Sequence, residues 1–142
     1  MAVKKQKIDD SVSKKKALAI AGFANERDAQ NVVILDVKGM TSYCDYFVVC
    51  SGSSSPQAQG IYDWVEKRCK ENGIGLNHWE RDDEGLWILG DFFSVVLHVF
   101  TDEAREIYNL EHLWSEAKIL KLPKPAKPAA KVSRLKKKAK SR

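Results

Sequence analysis

The 142-residue sequence lacks the marks of several large protein classes. No apolar run reaches the roughly 20 residues needed to span a membrane as a helix. Met1 to Lys7 is basic, but no apolar core follows it, so a secretion signal is not expected. Only three cysteines occur (Cys44, Cys50, Cys69), an odd number with no Cys-x-x-Cys. That excludes a disulfide framework and a zinc site of the paired-cysteine type, and points to a reducing cytosol. What remains is one domain with tails: the hydrophobic content of 44% is enough to fill a single core.

Acidic residues are missing from one end, and this is the most informative absence. Residues 121–142 carry ten Lys or Arg and no Asp or Glu. Residues 1–16 carry six Lys against two Asp, whereas residues 17–120 carry 8 basic against 17 acidic residues, a net of −9. The overall +5 therefore hides an acidic globule between two basic arms. The arms are fit to meet phosphate and the globule is fit to meet a basic protein. Pro123, Pro125 and Pro128 alternate with Lys and Ala, and Lys136-Lys137-Lys138 follow. Proline removes donors and the lysines repel one another, so residues 121–142 are expected to be a disordered Lys/Pro-rich tail. It serves either as a solubilising tail or for nonspecific RNA attraction weakened by salt. Residues 1–13 read as the N-terminal arm and 14–120 as the folded domain.

Within that domain, Ser13 is expected to cap a helix over roughly 14–28, with Ala17, Ile20, Ala21 and Ala24 on one face. Val32 to Leu35 and Tyr46 to Cys50 read as buried strands. Ser51 to Pro56 is a strand-to-helix turn, with Ser55 expected at the cap and Pro56 at the first helical position. The stripe Ala58, Ile61, Tyr62, Val65 and Cys69 lays the next helix on a sheet, and Asn72-Gly73 stops it. Ile74 to Glu80 is expected to hold a short strand. Leu86 to Leu89 and Val95 to Phe100 form a hairpin, and Thr101 caps a final helix. The order α-β-β-α-(β)-β-β-α implies an α/β class fold: a mixed α+β sheet with flanking helices.

Catalytic readings fare poorly. Ser51-Gly52-Ser53-Ser54-Ser55 resembles a phosphate-cradling turn, but it lacks the Walker lysine and spacing. It also resembles the Gly-Ser turn of nucleotidyltransferases, which need strand carboxylates for two metal ions; no Asp-x-Asp lies on a predicted strand. His98 inside an apolar strand reads as a core histidine rather than as the base of a Cys44 or Cys50 dyad. His78 and His112 have no neighbours at ligand spacing. No catalytic, cofactor or metal site is expected. The aromatics say more: Trp79, Trp87 and Trp114 join Tyr108, Leu110 and Leu113 in the last third of the chain. Half of them suffice for the core. The rest suit an interaction patch, since Trp and Tyr bury much area with few rotors to freeze. Alternation puts Trp87 and Leu89 on one sheet face and Ile88 on the other, and an edge strand there is open to extension by a partner strand.

Four segments together resemble the Iojap-like ribosomal silencing factor family. They are Asp45 to Ser55, Trp87 to Phe92, Val96 to Thr101 with Glu103-Ala104-Arg105, and Tyr108 to Trp114, in the family's order and spacing over about residues 14–116. The resemblance implies a nucleotidyltransferase-like core that lacks the metal carboxylates, and a non-enzymatic role. It further implies binding to ribosomal protein fourteen of the large subunit, a blocked intersubunit bridge, failed subunit joining and repressed translation in the cytoplasm. On the matching motifs it carries partner-facing or partner-shaping roles to Trp87, Asp91, Tyr108, Leu110, Glu111, Leu113 and Trp114, without separating those that touch the partner from those that hold the shape, and Leu89 joins them beside Trp87. A surface of this kind can pair with itself when free, giving a homodimer. The rivals are a large-subunit assembly factor, as in organellar relatives, and a divergent nucleotidyltransferase.

Two departures from the family pattern bear on the surface. Phe93 and Ser94 stand where the family has Gly-Asp, so a different hairpin turn and an exposed phenyl ring are expected. Arg81 follows Glu80 where a glycine is usual, so the loop before Trp87 is expected to differ.

Overall fold

The computed structural model describes residues 2–120, with side chains from Val12 onward. The expected tail over 121–142 lies outside the described residues, as do the side chains of most of the N-terminal arm. The helix α1 spans Ala2–Glu26, longer than the expected 14–28. Ser13 does not cap it. No Pro or Gly interrupts residues 2–21, so nothing stops the helix there. The Ser13 side chain is buried instead, its hydroxyl donating to Asp45 Oδ2 at 2.8 Å.

Six strands form one mixed sheet. They are β1 (Gln30–Asp36), β2 (Tyr46–Gly52), β3 (His78–Arg81), β4 (Trp87–Asp91), β5 (Val95–Thr101) and β6 (Lys118–Leu120), in the order β3-β4-β5-β2-β1-β6. Neighbours are antiparallel except β2 and β5, whose parallel register sets Val49 beside His98 and Cys50 beside Val99. The strand expected over 74–80 is confined to His78–Arg81, and β6 is an addition that three residues of sequence did not signal.

The helix α2 (Ser55–Glu71) follows β2. Its cap is Ser54, one residue before the expected Ser55: the Ser54 hydroxyl accepts from the Gln57 amide at 3.2 Å. Ser55 is drawn away because its hydroxyl donates to the Glu84 carbonyl at 2.8 Å, tying the helix start to the turn before β4. That turn needs Gly85, which sits at φ +73°; a Cβ there would lie 2.7 Å from Ser55 Oγ. The α1 and α2 helices cover one face of the sheet. Ile20, Ala21 and Ala24 from α1 meet Ile61, Tyr62 and Val65 from α2 over Ile34, Val48, Leu97 and Val99.

The β4–β5 hairpin closes in two residues. Phe92 N donates to Val95 O at 2.8 Å, and Phe93 takes φ +72° at the first loop position. Phe93 thus adopts the left-handed conformation that glycine favours. The Asp91 carboxylate makes this tolerable by accepting from the Phe93 amide at 2.8 Å. The Phe93 ring is exposed, as expected.

Candidate functional site

The opposite face of the sheet is less completely covered. Alternation along β2, β4 and β5 brings Phe47, Val49, Trp87, Leu89, Val96, His98 and Phe100 to this side. Val49, His98 and Phe100 are buried, while Phe47, Trp87, Leu89 and Val96 stay half-buried. The cover is short. Helix α3 (Asp102–Tyr108) starts at Thr101, whose hydroxyl accepts from Ala104 N at 3.2 Å, with Asp102 and Glu103 in its first turn where the dipole favours them. Asn109 then takes the left-handed φ of +44°, breaks the helix, and starts α4 (Leu110–Leu113). The break turns Leu110 and Trp114 down onto the sheet and leaves Leu113 71% exposed.

Ring contacts tie the face together. Tyr108 lies 4.7 Å from Trp87 between centroids, Trp87 5.0 Å from Phe100, His98 4.8 Å from Phe47, and Phe47 5.1 Å from Trp114. The edge-on pairs suit the ring quadrupoles. The Trp87 indole N–H donates to His98 Nδ1 at 3.2 Å, which puts the proton of the neutral imidazole on Nε2. Burial pushes the His98 pKa down to about 3, so the ring is a neutral acceptor that fixes the indole.

Six of the eight expected residues come together here. Trp87 and Tyr108 touch directly, Trp114 joins through Phe47, and Leu110 is buried in the same cluster. Leu89 borders a small groove with Trp87, Arg81 and Asp82, and Leu113 stands on the outer side of α4. Asp91 and Glu111 do other work. Asp91 braces the hairpin through Phe93 N and Asn77. Glu111 accepts from Arg105 at 2.6 Å, while Arg105 also reaches the Gln30 carbonyl at 3.3 Å and Ser51 Oγ at 3.4 Å. That bracket pins the α3–α4 turn to the sheet. Phe47, Val96 and His98 were not singled out for this face from sequence; the period of two along β2 and β5 was the signal for them. Trp79 lies apart, against Tyr62 on the helix-covered side.

The candidate nucleophiles named from the sequence are buried or hydrogen-bonded. Burial raises the thiol pKa of Cys44, Cys50 and Cys69 to about 12 each, far from the thiolate a nucleophile needs. In the Gly-Ser turn, the hydroxyls of Ser53, Ser54 and Ser55 are taken by Gln57 Oε1, Gln57 N and Glu84 O. Among the described residues, no three His, Cys, Asp or Glu stand close enough to hold a metal ion, and no helix is long and apolar enough to cross a membrane.

A family model described as "Ribosomal silencing factor during starvation" matches residues 10–142. The chain belongs to the ribosomal silencing factor family. A silencing factor of this family from Bacillus subtilis (strain 168) is 38% identical over 112 residues, covering 78% of this chain and 95% of the relative. One from Halalkalibacterium halodurans is 37% identical over 98 residues, covering 69% and 84%. A mouse relative named for mitochondrial assembly of the ribosomal large subunit is 28% identical over 99 residues, covering 68% of this chain and 43% of its own. The crystal structure of a Bacillus halodurans protein superposes with a TM-score of 0.68 at 32% identity, covering 77% of this chain and 99% of that one. The mixed α+β sheet is thus a fold seen in solved structures.

Proposed function

We propose that this protein silences ribosomes by steric occlusion. Its aromatic face docks on ribosomal protein fourteen of the large subunit, covers an intersubunit bridge and keeps the small subunit from joining. The observation that carries this reading is the half-covered aromatic face. Trp87 touches Tyr108 and is held from below by His98, and Ile107 (73% exposed) and Leu113 (71%) flank the half-exposed Tyr108 on α3–α4. Rigid, partly exposed Trp and Tyr are the side chains that anchor protein interfaces. Asp102, Glu103, Glu106 and Glu116 rim this end of the molecule, which favours a basic partner and repels RNA phosphate. Occlusion needs affinity and a footprint but no turnover, in keeping with the committed thiols and hydroxyls. The basic tail adds nonspecific ribosomal RNA contact that fades with salt. In the free protein the same face pairs two copies into a homodimer.

Subunit joining on a sucrose gradient tests the proposal. Purified large subunits are mixed with the protein and small subunits are then added. Co-sedimentation with large subunits and loss of whole ribosomes is the expected result. Binding without hindered joining favours a role in large-subunit assembly, the reading to which the mouse relative's name points. Failure to bind either subunit overturns both.

A further inference from the structure

The strand that carries Trp87 is not the edge of the sheet. β3 lies outside β4 and is the last strand on that side. Hydrogen bonds along β4 fix which way the backbone of β3 faces. Thr101 N donates to Leu86 O at 3.0 Å and Phe92 N to Val95 O at 2.8 Å, so the even-numbered residues of β4 bond to β5 and the odd-numbered ones to β3. Asp82 N donates to Trp87 O at 3.3 Å, in the same phase. In the antiparallel register that sets Glu80 opposite Leu89, the backbone groups of Glu80 and Asp82 therefore turn inward. Those of Trp79 and Arg81 turn outward, where no strand follows.

The two edges of the sheet are protected differently. Lysine, proline and bulges are the usual devices that blunt an edge. β6 is three residues long and begins with Lys118, and β1 behind it is bulged between Gln30 and Val33, with Asn31 at φ +50°. β3 has none of these. It contains no Lys or Pro, its register with β4 is unbroken over all four residues, and no residue from Asn77 to Asp82 has a positive φ. All four of its side chains are exposed. Trp79 rests on Tyr62 and still leaves half its surface to solvent.

The surrounding side chains decide what this edge can accept. Glu80, Asp82, Asp83 and Glu84 are exposed, and over residues 80–84 only Arg81 opposes them. The Arg81 guanidinium is itself held by Gln59 Oε1 at 2.8 Å. A groove of about 210 Å³ runs from Glu80, Arg81 and Asp82 to Trp87 and Leu89, so the edge is continuous with the aromatic face. Carboxylates beside an indole and a leucine suit the charged head and the methylene stem of a Lys or Arg. The same carboxylates repel RNA phosphate and a second copy of this edge.

We propose that β3 takes an extended, basic segment of the ribosomal partner as a seventh strand, through the outward backbone groups of Trp79 and Arg81. This rests on the docking reading above and adds a second point of attachment to it. Main-chain bonds to the edge supply affinity whatever the segment's sequence. Selectivity comes from the position directly opposite Glu80 on the aromatic side, where a Lys or Arg reaches the acid-lined groove beside Trp87.

Hydrogen exchange at single-amide resolution tests this, read on the full chain alone and bound to purified large subunits. The Trp79 and Arg81 amides should slow by about tenfold or more on binding, while the inward amides of Glu80 and Asp82 change less. Co-sedimentation with Trp79 and Arg81 exchanging at their free rates overturns strand addition and leaves aromatic docking standing. Slowing that is already present in the free chain and grows with its concentration overturns it in favour of pairing between two copies. Failure to co-sediment removes the docking reading and strand addition with it. A pair of variants gives a second readout. Arg81→Pro removes the outward N–H without touching the ladder to β4, whereas Arg81→Ala loses the same side chain and keeps the N–H. Large-subunit affinity should fall about tenfold further in Arg81→Pro than in Arg81→Ala. Equal affinities of the two folded variants overturn the proposal; if Arg81→Pro does not fold, the exchange rates of the native chain decide alone.

Discussion

The helix-covered face of the sheet and the aromatic face behind it grow from the same strands, and both are apolar. They differ in what closes them. Two long helices lie across the first, and Ile34, Val48, Leu97 and Val99 are fully buried beneath them. The second has a seven-residue helix and a four-residue one, and Phe47, Trp87, Leu89 and Val96 remain half-exposed. Composition also differs in degree: the first is mostly aliphatic, with Tyr62 and Phe92 fully buried within it, and rings of Phe, Trp, Tyr and His meet one another across the second. An aliphatic layer gains most from complete burial, whereas rings with a polar edge tolerate partial wetting and keep area in reserve for a partner. The contrast therefore separates a face that folds the chain from a face that can act.

The largest break in that contrast comes from the closed face. Leu97→Ala empties a fully buried site on the central strand β5 and should cost about 2–5 kcal/mol, read from urea unfolding. Large-subunit binding by the folded fraction should stay the same. An equal loss of binding would mean that the two faces are not separable.

The lock beneath the aromatic face is next. His98 has a pKa of about 3 in the fold against an ordinary value of 6.5. The unfolded chain takes up a proton below pH 6.5 that the folded chain refuses until about pH 3, so this contribution is complete above pH 6.5 and lost as pH falls between the two. Its slope is at most about 1.4 kcal/mol per pH unit. His98→Gln should flatten the stability profile through that window relative to the native chain. Superimposable profiles would show that His98 is not held neutral.

Trp87→Ala removes the indole at the centre of the ring contacts. It should weaken large-subunit binding by about tenfold or more, roughly 1.4 kcal/mol. Unchanged sedimentation of a folded variant with large subunits removes Trp87 from the interface. The smallest effect belongs to the hairpin between the faces. Phe93→Gly relieves the left-handed backbone at φ +72° and gives up only an exposed ring lying over Gly75. A gain of about 0.5–1 kcal/mol is expected; a loss in thermal unfolding would show that the ring packing outweighs the strain.

Much of this was legible from the sequence because it depends on local periodicity. The stripe from Ala58 to Cys69 buries the residues it marks, the Val95–Phe100 run is the central strand, and Thr101 caps the last long turn. The errors arose where a distant partner decided the outcome. Ser13 looks like a cap until Asp45 claims its hydroxyl, and Ser55 gives the cap to Ser54 because the Glu84 carbonyl takes its own. Phe93 keeps a glycine-like φ because the Asp91 carboxylate holds its amide. At the aromatic face, the motif names residues without separating those that shape it from those that line it: Glu111 and Asp91 fasten the scaffold, and Phe47 and His98 complete the surface from strands far away in sequence.

The segregation of charge, the longer strands and helices, and a family signature spread over four segments are legible along the chain, because each is a property of residue type and spacing. Strand pairing settles the rest: β2 and β5 lie parallel and in register, so that Phe47, His98, Trp87 and Tyr108 form one face. Those juxtapositions depend on which strands pair and which hydroxyl or carboxylate reaches which amide. Such choices are made by packing the whole sheet at once, and no local pattern records them.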